Sequence, residues 1–122
     1  IDSGVGGAVA DTVGRLMQRL GRDRQVMAVT HLAQVAACAH QHLVVAKAVH
    51  EGQTTSDIGE VRDDVRTTEI ARMLGGQITE TSRAHAQAML ATARAQEAQD
   101  AQDADTATPA AGKAPRRRKE AA

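Results

Sequence analysis

Apolar residues near the start of the chain recur at Val9, Val13, Leu16 and Leu20, which places them on one stripe of an α-helix. Arg15 and Arg19 fall in its later turns, where cations suit the negative end of the helix dipole, and Gly21 supplies a stop. Ahead of this helix, Ile1-Asp2-Ser3-Gly4-Val5-Gly6-Gly7 reads as a glycine-rich turn. After the polar Arg22-Asp23-Arg24, the run Val26-Met27-Ala28-Val29 is apolar at every position. A short, partly β-branched run without a polar face predicts a strand buried on both sides, as in a parallel sheet. Thr30 and His31 end it, and Leu32, Val35, Ala36 and Ala39 predict a short second helix.

Residues 43–49 and 54–61 are strand candidates, and Glu51-Gly52-Gln53 between them predicts an antiparallel hairpin. Asp63 or Asp64 can cap a further helix in which Val65, Ile70, Met73 and Leu74 point inward, with Gly75-Gly76 as its end. Thr79 suits the N-cap of a last helix carrying Ala86, Met89, Leu90 and Ala93 along one side. Beyond about residue 95 the pattern dissolves into Ala, Gln, Asp, Thr, Pro and Gly and closes with Pro115-Arg116-Arg117-Arg118-Lys119. That composition offers too little burial to offset ordering entropy, so 97–122 reads as a disordered, basic-ended tail behind a folded unit at 1–96. The order loop–α–β–α–β–β–α–α predicts an α/β fold, a partial sheet with flanking helices. A lone parallel strand needs neighbours these residues do not supply, so the pattern points to a piece of something larger.

Composition supports that expectation. The 122 residues include no Phe, Tyr or Trp, so Ala, Val, Leu, Ile and Met must build the core. At roughly 25 cal/mol per Å² of apolar burial, small side chains leave such a core marginal by itself. The first residue, Ile1, agrees with a fragment. Formal net charge is +0, so no overall field draws the chain to nucleic acid or membrane. Cys38 is the sole cysteine, which rules out an internal disulfide and predicts a reducing compartment. No apolar run approaches the ~20 residues that span a bilayer, and no basic-then-apolar leader opens the chain. These features predict a cytoplasmic protein without membrane contact.

Four features could carry chemistry. Glycines between a strand and a helix can cradle phosphate, because main-chain N–H groups and the helix dipole converge there. Gly4-Val5-Gly6-Gly7 lacks the Lys-Ser/Thr of a phosphate-binding loop and the acidic partner of a dinucleotide fingerprint, so a flexible turn before a helix competes. His31 stands at the carboxyl end of the expected strand, where open α/β sheets bind ligands, and an imidazole there can meet a phosphate oxygen or a reacting water. The alternative is a histidine that only satisfies backbone groups at a helix start. Cys38, His40, His42 and His50 hold zinc-ligand atoms, but the C-x-H-x-H spacing fits no standard structural zinc pattern, and no metal site is expected. Arg116-Arg117-Arg118-Lys119 can contact phosphates, but without interleaved aromatics or a folded platform a solvated tail is the simpler reading.

Together, three segments change this weighing. Ile1-Asp2-Ser3-Gly4-Val5-Gly6-Gly7, the run from Gln25 through Thr30-His31-Leu32-Ala33 to Ala36, and Glu69-Ile70-Ala71-Arg72-Met73-Leu74-Gly75-Gly76 resemble, in order, successive segments of the RecN family. These are bacterial repair ATPases related to the structural-maintenance-of-chromosomes proteins, and the resemblance covers about residues 1–94. It implies the C-terminal part of an ABC/SMC-type P-loop NTPase head, with the carboxylate pair that holds Mg lying just before Ile1. It further implies that Asp2, Ser3, Gly4, Gly6 and Gly7 belong to a loop along the ATP-bearing interface of two heads. By the same resemblance His31 looks like the switch histidine that senses the γ-phosphate and helps hold the attacking water. The family usually has Pro after Thr-His-Leu, where this chain has Ala33, which loosens the turn into the helix.

The family's phosphate-binding loop, signature motif and coiled coil are absent from these residues. The resemblance therefore implies a chain that does not hydrolyse ATP by itself, within a nucleoid-associated bacterial parent that binds ATP, Mg and DNA and pairs its heads as a homodimer. Competing readings are a head fragment of another SMC- or RecF-like chromosome-maintenance ATPase, and a non-enzymatic interaction module tethered by the basic tail. A dinucleotide oxidoreductase fragment is disfavoured by the incomplete glycine fingerprint.

Overall fold

The computed structural model describes residues 3–107, with the side chains of residues 3–5 outside that description. Asp2 and the basic run at 116–119 therefore lie outside the described residues. The element order is α1 (Ser3–Leu20), α2 (Ala33–Ala37), β1 (His42–His50), β2 (Gln53–Val61), α3 (Asp63–Met73) and α4 (Glu80–Thr106). Helices α1 to α4 pack together, and the hairpin departs from their side.

Local chemistry explains most element ends. β1 and β2 pair antiparallel from His42↔Val61 to His50↔Gln53, leaving a two-residue turn. Glu51 and Gly52 there adopt φ of 49° and 75°, the positive pair that matches the right-handed twist of flanking strands. Gly75 and Gly76, at φ 91° and 75°, end the α3 region as expected. At the start of α4 the Thr79 hydroxyl accepts from the Ser82 N–H at 3.1 Å, while Ser82 Oγ accepts from the Thr79 N–H at 2.8 Å, a reciprocal capping box. The cap of α3 is Arg62, with Asp63 and Asp64 in the first turn, one step from the expected capping residue.

The core is built largely from alanine. Ala33, Ala36 and Ala37 of α2, Ile70 and Ala71 of α3, and Ala86 and Leu90 of α4 form one buried cluster, with Met73, Leu74 and Met89 packed against it. Small side chains let the helices approach closely, and Ile70 is the largest side chain sealed completely from solvent.

Several expectations are corrected. Helix α1 packs through Ala10, Gly14 and Gln18, while Val9, Val13, Leu16 and Leu20 remain 42–57% exposed. The apolar stripe of α1 thus faces outward, and the stripe of Ala10, Gly14 and Gln18 faces α2 and α4. Residues 26–29 form no strand, and Val29 is 102% exposed. Among the described residues, no backbone group of 25–31 is hydrogen-bonded apart from the turn at Thr30, so the segment lacks the neighbours a strand requires. The glycine-rich stretch from Ser3 to Gly7 is the start of α1, not a turn. Val65 points outward at 62% exposure. The second helix is shorter than its apolar spacing suggested, and Ala39 lies beyond it.

Residues 97–106, expected in the unordered tail, continue α4. Their Ala, Gln and Glu content favours helix once the first turns are docked. The sheet is a two-stranded antiparallel hairpin, so the fold is mixed helix and hairpin among the described residues. No described helix is long and apolar enough to cross a membrane.

Candidate functional site

His31 is exposed, and its backbone is held by a specific local device. The Leu32 N–H donates to Thr30 Oγ1 at 3.0 Å, closing a three-residue turn with His31 at its centre. Leu32, extended at φ −93° and ψ 118°, then serves as N-cap without a side-chain cap of its own. Its carbonyl accepts from Val35 N at 3.2 Å and Ala36 N at 3.1 Å, starting α2. Ala33, at the position where the family's proline was expected, is buried in the core. The turn is therefore held on one side by the Thr30 hydroxyl and on the other by core packing. His31 itself makes no hydrogen bond or ion pair among the described residues.

Contacts at two glycines orient α1 relative to this turn. A Cβ on Gly14 would meet Cys38 Sγ at 3.0 Å and Gln34 O at 3.1 Å, and one on Gly21 would meet His40 at 3.2 Å. Rising numbers on α1 meet rising numbers on α2 and its exit, so the two segments ascend in the same sense. The first turns of α1, which carry Gly4, Gly6 and Gly7, thus lie toward the same end of the pair as His31. At Gly6 and Gly7 an added Cβ would meet nothing within 4 Å, so packing within the described chain does not demand glycine there. Glycine inside a helix costs about 1 kcal/mol relative to alanine, which leaves these two positions without a structural rationale in the described residues.

The four residues with zinc-ligand atoms are dispersed, and no group of three His, Cys, Asp or Glu among the described residues is placed to share a metal ion. Cys38 is buried against Gly14, and burial, with Asp11, pushes its thiol above the ordinary range. His40 Nε2 lies 2.6 Å from Glu97 Oε1. His42 is buried at the hairpin root, where burial and then the Arg66 charge hold its imidazole below the usual pKa. His50 sits beside the hairpin turn at the far end of β1.

A polar seam that sequence reasoning missed ties α4 to α1. Gln18 Nε2 donates to the Ala93 carbonyl at 3.2 Å, Arg22 donates to the Glu97 carbonyl, and Arg19 Nε donates to Asp100 Oδ2 at 3.0 Å. Its partners lie partly beyond residue 96, where composition alone suggested no structure. Arg66 was missed as well: its Nη2 donates to the carbonyls of Ala36, Ala37 and Ala39 at 3.1, 3.4 and 2.7 Å, closing the C-terminal end of α2. The only available signal was an arginine on a helix otherwise facing the core.

Among the described residues three apolar surfaces remain uncovered: the α1 stripe, residues 26–29, and one hairpin face. On that face Leu43, Val45 and Val49 share a side with Ile58, and all four are 49–72% exposed. A bare two-stranded hairpin is marginal in water, and each Val, Leu or Ile fully covered contributes about 1.5–3 kcal/mol.

No family model matches the chain. It is nevertheless similar to several curated proteins called DNA repair protein RecN. It is 47% identical to that of Deinococcus radiodurans over 91 residues, which are 75% of this chain and 16% of the relative. Identity to that of Vibrio cholerae is 44% over 94 residues, covering 76% of this chain and 17% of the relative. To that of Streptomyces coelicolor it is 47% over 96 residues, covering 78% and 17% respectively. The chain therefore spans about a sixth of the length of the curated relatives it matches.

Proposed function

We propose, from the premise that this chain belongs over its matched segment to the RecN family of DNA repair proteins, that it serves in DNA repair as one lobe of an ATP-driven head. In this reading His31 faces the terminal phosphate of ATP, and the stretch Asp2-Ser3-Gly4-Val5-Gly6-Gly7 runs along the interface of two paired heads. The observation that carries it is the exposed His31, held at the centre of a turn that Thr30 closes, beside an apolar segment with no strand partners.

The chemistry follows from that placement. When bound, ATP brings the transferable phosphoryl group, and Mg brings the charge that screens it. The residues that hold both lie on polypeptide beyond this segment, since it carries no Lys-Ser/Thr phosphate loop. An imidazole on a braced turn can donate to an oxyanion or accept from a water without reorganising, which is how fixed dipoles lower a barrier. Gly6 and Gly7 allow main-chain groups to approach a partner surface that a Cβ would hold off. The uncovered α1 stripe, residues 26–29 and the hairpin face supply the apolar area through which the lobe joins the rest of the head. Strand pairing on both sides of 25–31 would satisfy its backbone groups. DNA is engaged by the parent protein, and head pairing couples that engagement to nucleotide state.

The test is a graft of this segment into the Deinococcus radiodurans relative. His31→Ala should lower magnesium-dependent ATP turnover by about 10²-fold or more against the unmodified graft, with DNA binding retained. A graft whose turnover is indifferent to His31→Ala refutes the assignment.

A further inference from the structure

Away from His31, the hairpin root, the exit of α2, α3 and the middle of α4 line an open cavity of about 300 Å³. Three arginines, Arg62, Arg66 and Arg94, reach its wall. Arg62 is neutralised by Glu60, donating from Nε at 2.9 Å and from Nη2 at 2.8 Å. The other two lack such a partner. Arg66 uses Nη2 on three carbonyls, its Nε is buried without a hydrogen bond, and its Nη1 stays accessible and unbonded. The Arg94 side chain makes no hydrogen bond or ion pair among the described residues and is exposed on α4.

Two of the three nearby carboxylates are paired. Glu60 is held by Arg62, and Glu97 receives His40. Asp63, also on the cavity wall, is exposed at the first residue of α3, makes no ion pair among the described residues, and acts most on the neighbouring Arg62. Burial, and after it the Arg94 charge, lowers the Arg66 pKa, so the charged form of Arg66 is disfavoured where it stands. Two guanidiniums that repel across one cleft, one of them half-buried, form an arrangement that a small anion relieves.

We propose that this cavity binds a phosphate-class oxyanion between the free Nη1 edge of Arg66 and the guanidinium of Arg94. A tetrahedral oxyanion offers several acceptors and matches the arginine fork, which one carbonyl cannot do. Two sources share this chemistry, a phosphodiester of a DNA backbone and a free phosphate. The site is independent of the role given to His31.

The complete 122-residue chain can be titrated with inorganic phosphate and with a short single-stranded DNA lacking terminal phosphates, each against chloride at matched ionic strength. Side-chain NMR signals of Arg66 and Arg94 should shift saturably. Arg94→Gln should weaken binding by about tenfold or more, and Lys47→Gln, on the hairpin, should leave it unchanged. Saturation by DNA alone identifies the diester, and saturation by phosphate alone the free ion. Saturation by neither probe, or equal binding by Arg94→Gln, overturns the proposal. A melting measurement checks it separately: Arg94→Glu should raise Tm in chloride, because its carboxylate takes the anion's place beside Arg66, and a fall in Tm counts against the site.

Discussion

Replacing glycine by alanine at two positions of α1 should have unequal effects on stability. Gly6 and Gly14 both lie within the helix Ser3–Leu20, so each gains the same helix propensity on acquiring a methyl group, about 0.5–1 kcal/mol. At Gly6 the new Cβ meets nothing within 4 Å, and the gain stands. At Gly14 it comes 3.0 Å from Cys38 Sγ, 3.1 Å from Gln34 O and 3.3 Å from Cys38 Cβ. Gln34 O is backbone inside α2, and Cys38 is buried, so neither can retreat without moving the helix that carries the core alanines. Overpacking of this kind costs about 1–3 kcal/mol, which exceeds the propensity gain. Gly14→Ala should therefore be neutral to about 2 kcal/mol destabilising, and should fall at least about 1 kcal/mol below Gly6→Ala. Urea unfolding followed by far-ultraviolet circular dichroism measures both. Adding Cys38→Ala to Gly14→Ala removes the nearest atom and should recover part of the loss. If Gly14→Ala stabilised as much as Gly6→Ala, the close crossing of α1 and α2, and with it the shared end of His31 and the first turns of α1, would be wrong.

Three further outcomes follow from the same contacts. Thr79→Ala removes the hydroxyl side of the capping box and should cost about 1 kcal/mol of stability, read by thermal melting, while Thr79→Ser should retain most of it. His42 has a native pKa below its ordinary 6.5 because of burial and Arg66, so the unfolded chain takes up the proton first. Its contribution is then fully present above about pH 6.5 and declines as pH falls below it, a slope that His42→Gln should flatten in pH-dependent denaturation. Arg22→Ala removes the donor to the Glu97 carbonyl, so amide exchange over residues 97–106 should quicken by about fivefold while Leu90 keeps its protection; unchanged exchange would show that the seam does not hold this end of α4.

Family kinship was legible because it rests on the order of short segments, and the identities of 44–47% to RecN proteins of three bacteria agree with it. Other features were legible because their causes lie within a few residues. Glu51-Gly52 permits two consecutive positive φ angles, Gly75-Gly76 stops a helix, and Thr79 with Ser82 satisfies the first orphan N–H groups of α4. The inward residues of α3 and α4 were largely readable too, since Ile70, Ala86, Leu90 and Ala93 keep helical spacing and are buried.

Burial of α1 and of residues 26–29 could not be read this way. An apolar stripe says that a face can be covered, and a partner decides whether it is. Here α1 turns Ala10 and Gly14 to its neighbours because small residues allow the closest approach, and Gln18 because it bonds the Ala93 carbonyl, leaving Val9, Val13, Leu16 and Leu20 outside. The extent of α4 was decided in the same way, by Gln18 and Arg19 of α1 and Arg22 just after it, 75 to 81 positions away in sequence. Turn and cap signals are local hydrogen bonds and dihedral preferences, complete within the segment that carries them. Side-chain burial and polar seams are agreements between distant segments, so they exist only once the chain has packed.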